Sequence, residues 1–307
     1  MLVSTFAGEY CNFGQANVSA GWAYTKELMT NQSMPIYLMP AIFSDPSGFK
    51  DLDWLDGEFN WNGAWPMTAA PLTTSSDEQY MSALGTKGYM AAVSPAFFTV
   101  CPLLLLCSAC TNEQYYGVNS YNKNWIYRSD DWLLATRMEQ VIAMRNKVDM
   151  LELITWNDYG ESHYIGPVRA DQPNSQGWTN GMDHQGWLSI IKIYSTAFKT
   201  GKYPSSSDSI TLWSRPHPKG ATATAPSNPR PSGWQNTDDN VYAFITISAP
   251  ATIVITSGNN TRSWGNVPAG ISKFSVSSAP GSIGAKITRS GKTIKEYSSG
   301  SDFQYTE

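Results

Sequence analysis

Five short runs of almost unbroken apolar residues punctuate the chain up to about Pro204: LVSTF (2–6), PIYLMPAIF (35–43), GEFNW (57–61), GYMAAVSPAFF (88–98) and DMLELITW (149–156). A strand with one face in water alternates polar and apolar residues, so runs that do not alternate fit strands covered on both faces. Helical patterns lie between them. The clearest is SDDWLLATRMEQVIAM (129–144). Ser129 suits its N-cap, Asp130 and Asp131 its first turn, and Leu134, Met138, Val141 and Ile142 form one apolar stripe. Strand and helix in alternation predict a parallel α/β architecture.

Beyond Pro204 the pattern changes. ATATAPSNPRPSG (221–233) reads as a connection, and after it come VYAFITIS (241–248), ATIVITSG (251–258), KFSVSS (273–278) and KITRSGKTIKEY (286–297). These are short strands with turn signals, the last a hairpin pivoting on Ser290 and Gly291. The expected division is 1–204 as an α/β region and 205–307 as an all-β, sandwich-like domain.

Charge narrows the partners. The net charge is −4, charged residues make up 15% of the chain, and no Lys/Arg block stands out, which argues against nucleic acid or an anionic membrane surface. Twelve Trp and sixteen Tyr on a weakly charged chain suit a neutral substrate such as a sugar, whose C–H faces stack on rings. The longest apolar run, CPLLLLC (101–107), is far short of the ~20 residues of a membrane span. MLVSTFAGEY has no basic n-region and no long apolar h-region, so no secretory signal is read there. No His/Cys/Asp spacing suggests a metal, and no cofactor motif is present.

In parallel α/β folds the C-terminal ends of strands carry the chemistry. Here those ends lead to Glu9, to Ser44 and Asp45, to Asn62 and Trp65, to Pro95 with an aromatic pair, and to Asn157 and Asp158. The densest is LITWNDYGESHYIGP (153–167), which buries its first half and crowds its second with aromatic, amide and acidic groups. Exposed strand ends are often polar without function; that accounts for Ser44 and Asp45 better than for Trp61, Trp65 and Trp156.

ITWNDYGESHYIGP resembles the signature of glycoside hydrolase family 71, the fungal α-1,3-glucanases or mutanases. LVSTF, WNGAWP (61–66), YMAAVSPAFF (89–98) and NKNWIYRSDDWL (122–133) resemble the same family in the same order, and the trailing β-domain has its counterpart. The resemblance implies a (β/α)8 TIM-type barrel and hydrolysis of α-1,3-glucosidic bonds in α-1,3-glucan by an inverting, two-carboxylate mechanism. It implies an extracellular or cell-wall enzyme acting as a monomer on a polysaccharide. Carried onto this sequence, the catalytic pair is Asp158 and Glu161, with Glu161 as acid and Asp158 as base. Trp61, Asn62, Trp65, Trp156, Asn157, Tyr159 and His163 are expected to bind substrate. One carboxyl must protonate the leaving oxygen while the other activates water on the opposite face, across a gap of roughly 6.5–9.5 Å. Gly160 between them offers backbone freedom.

Two departures from the family pattern stand out. About three βα units expected ahead of LVSTF, some ~90–100 residues at ~30 per unit, have no counterpart, leaving a barrel of about five units. VCPLLLLCSACTNEQ (100–114) also has none; it reads as a retained intron bounded by a GT-initial Val codon and an AG-final Gln codon, or as an apolar loop, or as a redox pair at Cys107 and Cys110. Beside the glucanase stand two other readings, a non-catalytic carbohydrate-binding remnant and the inactive product of a truncated gene. For Asp158 and Glu161 the plain alternative is a pair of solvated loop carboxylates, or partners for Arg169.

Overall fold

The structure, a computed structural model, describes residues 1–63, 70–99, 125–128, 131–171, 179–222 and 231–306. Trp65 and the segment 100–114 lie outside the described residues. The chain forms two compact units: one of residues 1–94 and 136–154, the other of residues 155–306 with 95–99, 125–128 and 131–135.

The first unit is built on parallel strands. β1 (Leu2–Val3) is followed by α1 (Val18–Asn31), whose N-cap Asn17 accepts the Ala20 N–H at 2.8 Å. Then come β2 (Tyr37–Leu38), β3 (Gly57–Asn60), α2 (Ser75–Leu84) and β4 (Gly88–Val93). β5 (Phe97–Thr99) and β6 (Trp125–Arg128) pair antiparallel and cluster with the second unit. α3 (Leu133–Ala143), which joins the first unit from Thr136 on, leads to β7 (Met150–Leu153).

All five apolar runs contain a strand, shorter than the run. β1 pairs parallel with β2, β3 with β4, and β4 with β7. Two backbone bonds, Asp56 N–H to Leu38 O at 3.2 Å and Phe59 N–H to Pro40 O at 2.9 Å, tie β2 to β3. The spatial order is therefore the sequence order, β1-β2-β3-β4-β7. One face of this arc carries a core of Met39, Ala41, Phe59, Met90, Ala92 and Ile154. The arc curls enough for Ser4, just past β1, to temper the rise that burial gives the Glu152 pKa on β7. No closed barrel forms among the described residues.

α3 buries Leu134, Met138 and Val141 as its stripe predicts. Its start differs from the expectation: the helix begins at Leu133, and Asp131 accepts the Leu133 N–H at 2.8 Å, so the first-turn acid does the capping; Ser129 lies outside the described residues.

The second unit carries α4 (Trp187–Thr200), β8 (Ser209–Trp213), β9 (Asn240–Ile247), β10 (Ala251–Ser257), β11 (Asn260–Val267), β12 (Gly270–Ser277), β13 (Ile283–Arg289) and β14 (Lys292–Ser298). The last seven form two antiparallel sheets, β12-β9-β8 and β11-β10-β13-β14. Val241, Ala243, Ile245 and Ile247 from one sheet pack with Ile253, Ile255, Ala285 and Ile287 from the other. That is a sandwich core, and alternate residues of β10 face it. The β13–β14 turn has Ser290 at φ 50° and Gly291 at φ 76°, the paired positive angles of a tight hairpin. β8 and β11 are further strands; SITLW precedes the connection, and NTRSWGNV is too polar to announce itself.

Candidate active site

β7 delivers its chain into a loop closed on itself. Thr155 N–H bonds to His163 O at 3.0 Å, Ile165 N–H to Thr155 O at 3.0 Å and Gly166 N–H to Trp156 O at 2.8 Å. The strand is thus continued by a short ladder, and residues 157–162 bulge from it. The left-handed residue that allows the bulge is Ser162, at φ 59°. Gly160, expected to supply this freedom, has no positive φ.

Within the bulge the polar groups are knotted together. Thr155 Oγ1 accepts the Asp158 N–H at 2.9 Å, and Asp158 Oδ1 accepts the Glu161 N–H at 3.1 Å. Glu161 Oε2 lies 2.8 Å from His163 Nε2, and His163 Nδ1 lies 3.1 Å from Thr155 Oγ1. His163 is completely buried, whereas Asp158 and Glu161 are partly open to solvent. Donor atoms of Asp158, Glu161 and His163 fall within 4.8 Å of one another, close enough in principle for a divalent ion. With the imidazole Nε2 already engaged by Glu161, we read them as a hydrogen-bonded triad. The nearest Asp158 and Glu161 oxygens are therefore closer than the separation expected for an inverting pair.

The loop's aromatic residues divide by burial. Trp156 is 57% exposed, its indole backed by Gly166, where an added Cβ would sit 2.8 Å from Trp156 Cε2. Asn157 is exposed beside it. Tyr159 is buried: its hydroxyl donates to Pro167 O at 2.8 Å and its ring meets Tyr164 edge-on at 5.1 Å. Tyr164 in turn stacks on His184 at 3.9 Å and 6°. Burial pushes the His184 pKa down, against the bond it makes to Tyr164 O. Tyr159 and His163 thus stand behind the carboxylates, and Trp156 and Asn157 face solvent. Arg169 pairs with Asp171 at 3.0 Å on the surface, so the structure gives it a partner other than Asp158 or Glu161.

In the first unit, Trp61 packs edge-on against Phe59 and Phe6 at 5.5 and 5.0 Å. Asn62 donates its N–H to Asn60 Oδ1 at 3.1 Å and its side-chain amide to Ser76 Oγ at 3.4 Å. Two groups escaped the sequence reading. Thr155 is the hub of the knot, and its signal was available as a hydroxyl three residues ahead of an Asp, the spacing of a side-chain-closed turn. Glu58 is buried on β3, with its carboxyl accepting the Ile42 N–H at 3.3 Å; nothing in an apolar run distinguishes it beforehand.

A model of glycosyl hydrolase family 71 matches residues 1–306. The chain is 36% identical over 282 residues to a glucan endo-1,3-alpha-glucosidase of Schizosaccharomyces pombe, covering 90% of this chain and 61% of the relative. It is 33% identical over 314 residues to a mutanase of Penicillium rubens, covering 98% and 62%. An ascus wall endo-1,3-alpha-glucanase of S. pombe is 30% identical over 293 residues, covering 90% and 62%. The chain spans about three fifths of the length of these relatives.

Proposed function

The chain belongs to glycosyl hydrolase family 71, and on that premise we propose that its activity is hydrolysis of α-1,3-glucosidic bonds in α-1,3-glucan, with Asp158 and Glu161 as the working carboxylates. The observation that carries this reading is the position of the pair. Both stand on the loop that leaves the C-terminal end of parallel strand β7, partly open to solvent and braced from behind by a buried imidazole. That is where a barrel enzyme keeps its chemistry. Exposed Trp156 offers the sugar a stacking face, and Asn157 offers hydroxyl partners. In the first unit Trp61 and Asn62 stand at the corresponding end of β3.

Inversion is the stereochemical course we assign, with water entering between the two carboxyl groups; the pair must spread from its resting approach to admit it. The five-stranded arc is read as part of a (β/α)8 barrel. Two features favour this: strands adjacent in sequence order, and exposed Leu2, Phe6 and Phe43 at the β1 side. We take 1–204 as the barrel region and 205–307 as an accessory β-domain, and the protein as a monomer working outside the cell or in its wall. No helix among the described residues is long and apolar enough to cross a membrane.

The test is release of reducing sugar from insoluble α-1,3-glucan, with Asp158→Asn and Glu161→Gln beside the unmutated chain. The expected result is a loss of roughly 10²–10⁴-fold in each variant. Variants as active as the unmutated chain would remove the pair from the chemistry.

A further inference from the structure

Three Asn-x-Ser/Thr triplets stand in the chain, at Asn17, Asn31 and Asn259. Such a triplet is the acceptor for an N-linked sugar, and in a folded protein it belongs on a surface loop. The structure separates the three. Asn17 is the N-cap of α1, its carboxamide oxygen bound to the Ala20 N–H at 2.8 Å, and Asn31 is the last residue of the same helix. Asn259 is the tip of the β10–β11 hairpin, the more exposed of the two residues between the paired Ser257 and Asn260. Gly258 precedes it at φ 49°, and Asn259 has no positive φ; glycine first is the signature of a type II′ turn.

The residues around Asn259 are fastened to the connection between β12 and β13. Ser257 Oγ accepts the Ala279 N–H at 2.9 Å, Gly258 N–H donates to Ser282 O at 2.9 Å, and the Asn260 side-chain amide donates to Ser277 O at 2.9 Å. A Cβ on Gly258 would collide with Pro280 O, so glycine is required there and the turn is fixed. Asn259 is the residue this fastening leaves facing water. Its carboxamide is engaged by none of the described residues, and Thr261, which completes the triplet, is exposed on edge strand β11.

We propose that Asn259 is a glycosylation site, carrying an N-linked oligosaccharide that begins with N-acetylglucosamine at the tip of the β10–β11 hairpin. The inference rests on the reading of the protein as one that works outside the cell or in its wall. The donor is the oligosaccharide held as a lipid diphosphate. Asn259 Nδ2 bonds to C1 of the first sugar and gives up one proton, while the bond from C1 to the diphosphate oxygen breaks and the lipid diphosphate leaves with the electron pair. Transfer acts on the chain before it folds, so the fold has only to leave room for the product. The hairpin tip leaves it, because no buried contact is given up when the side chain is lengthened into solvent. At Asn17 the same product would hang from a carboxamide that already caps a helix.

The test is made on the protein taken from its own organism, from culture medium, wall and cell interior separately. Treatment with a peptide-N-glycosidase in heavy-oxygen water releases the sugar and leaves an aspartate carrying the heavy isotope at the position that bore it. The expected result is that label on the peptide containing Asn259, in protein from the medium or the wall. Thr261→Ala, a change at an exposed side chain, should abolish the label at that peptide, and Thr261→Ser should retain it. Protein in the medium or wall with Asn259 bare, including protein labelled at Asn17 or Asn31 instead, overturns the inference and leaves the extracellular reading standing. Protein found inside the cell alone, with all three positions bare, overturns both. A label at Asn259 that survives Thr261→Ala overturns the triplet as its cause.

Discussion

Arg137 grips Asp77 with two guanidinium nitrogens, at 2.7 and 2.6 Å, and each side chain is only 2% exposed. The same guanidinium donates to Ala92 O on β4, and Tyr89 donates to Asp77 at 2.6 Å. Tyr89 then accepts from Asn60, whose Oδ1 holds the Asn62 N–H. A buried ion pair between α2 and α3 is thus linked by hydrogen bonds to Asn62, two residues past the end of β3. Arg137→Met leaves a carboxylate buried without its counter-charge, which costs about 3–5 kcal/mol. Denaturant unfolding should show that loss, and adding Asp77→Asn should recover part of it. A single Arg137→Met variant within ~0.5 kcal/mol of the parent would show that the pair is dispensable.

Glu58 makes the stability of the fold depend on pH. Burial raises its pKa from 4.5 to about 9; the Ile42 N–H works against the shift and nearby Glu9 adds to it. The folded chain therefore keeps a proton that the unfolded chain releases above its ordinary value. By linkage this favours folding below about 4.5, and the advantage is lost as pH rises toward about 9. The slope is up to about 1.4 kcal/mol per pH unit. Glu58→Gln removes the titration, so its melting temperature relative to the parent should rise between pH 5 and pH 8. A difference that stays constant over that range would exclude Glu58 as the source.

How far these features could be read in advance follows from their physics. Apolar runs announce strands because both faces of a parallel sheet shed polar residues, so all five were legible as strands while their ends were not; full burial on both faces holds for β3 and β4 alone among them, β1, β2 and β7 being partly open. β11 was hidden because NTRSWGNV lies largely on an exposed face, where sequence is free to be polar. The loop's cluster of side chains was visible as a cluster. Which residues face solvent was not, since Tyr159 and Trp156 differ in burial through the closing ladder, a long-range contact with no local signal. The Asp77–Arg137 pair was invisible because a buried charge is explained by its partner, and the partner here is 60 residues away.

Ser162 tests the backbone of the loop. A non-glycine residue at φ 59° carries strain of about 1–2 kcal/mol, which glycine does not. Ser162→Gly should be neutral or stabilising and should leave the Glu161–His163 bond in place. Ser162→Val, β-branched at a positive φ, should destabilise the fold and release His163 from Glu161. Equal melting temperatures for the two variants would mean that the loop adopts another backbone in solution.

The remaining prediction concerns the product. Inversion of an α-linkage yields a β-configured reducing end, retention an α-configured one. At rest the nearest oxygens of Asp158 and Glu161 lie within 4.8 Å, while an inverting pair works across roughly 6.5–9.5 Å and a retaining pair across about 5–5.5 Å. Glu161 is tied back to His163, which is backed by Thr155 and fully buried, and Asp158 accepts the Glu161 N–H. To admit the water, the two carboxyl groups must separate beyond this resting approach. Proton NMR in the first minutes of hydrolysis, before mutarotation, should therefore show the β-anomer accumulating first. Early α-anomer would mean that the pair reacts near its resting separation, with one carboxylate bonding to the sugar, and the inverting assignment would fall.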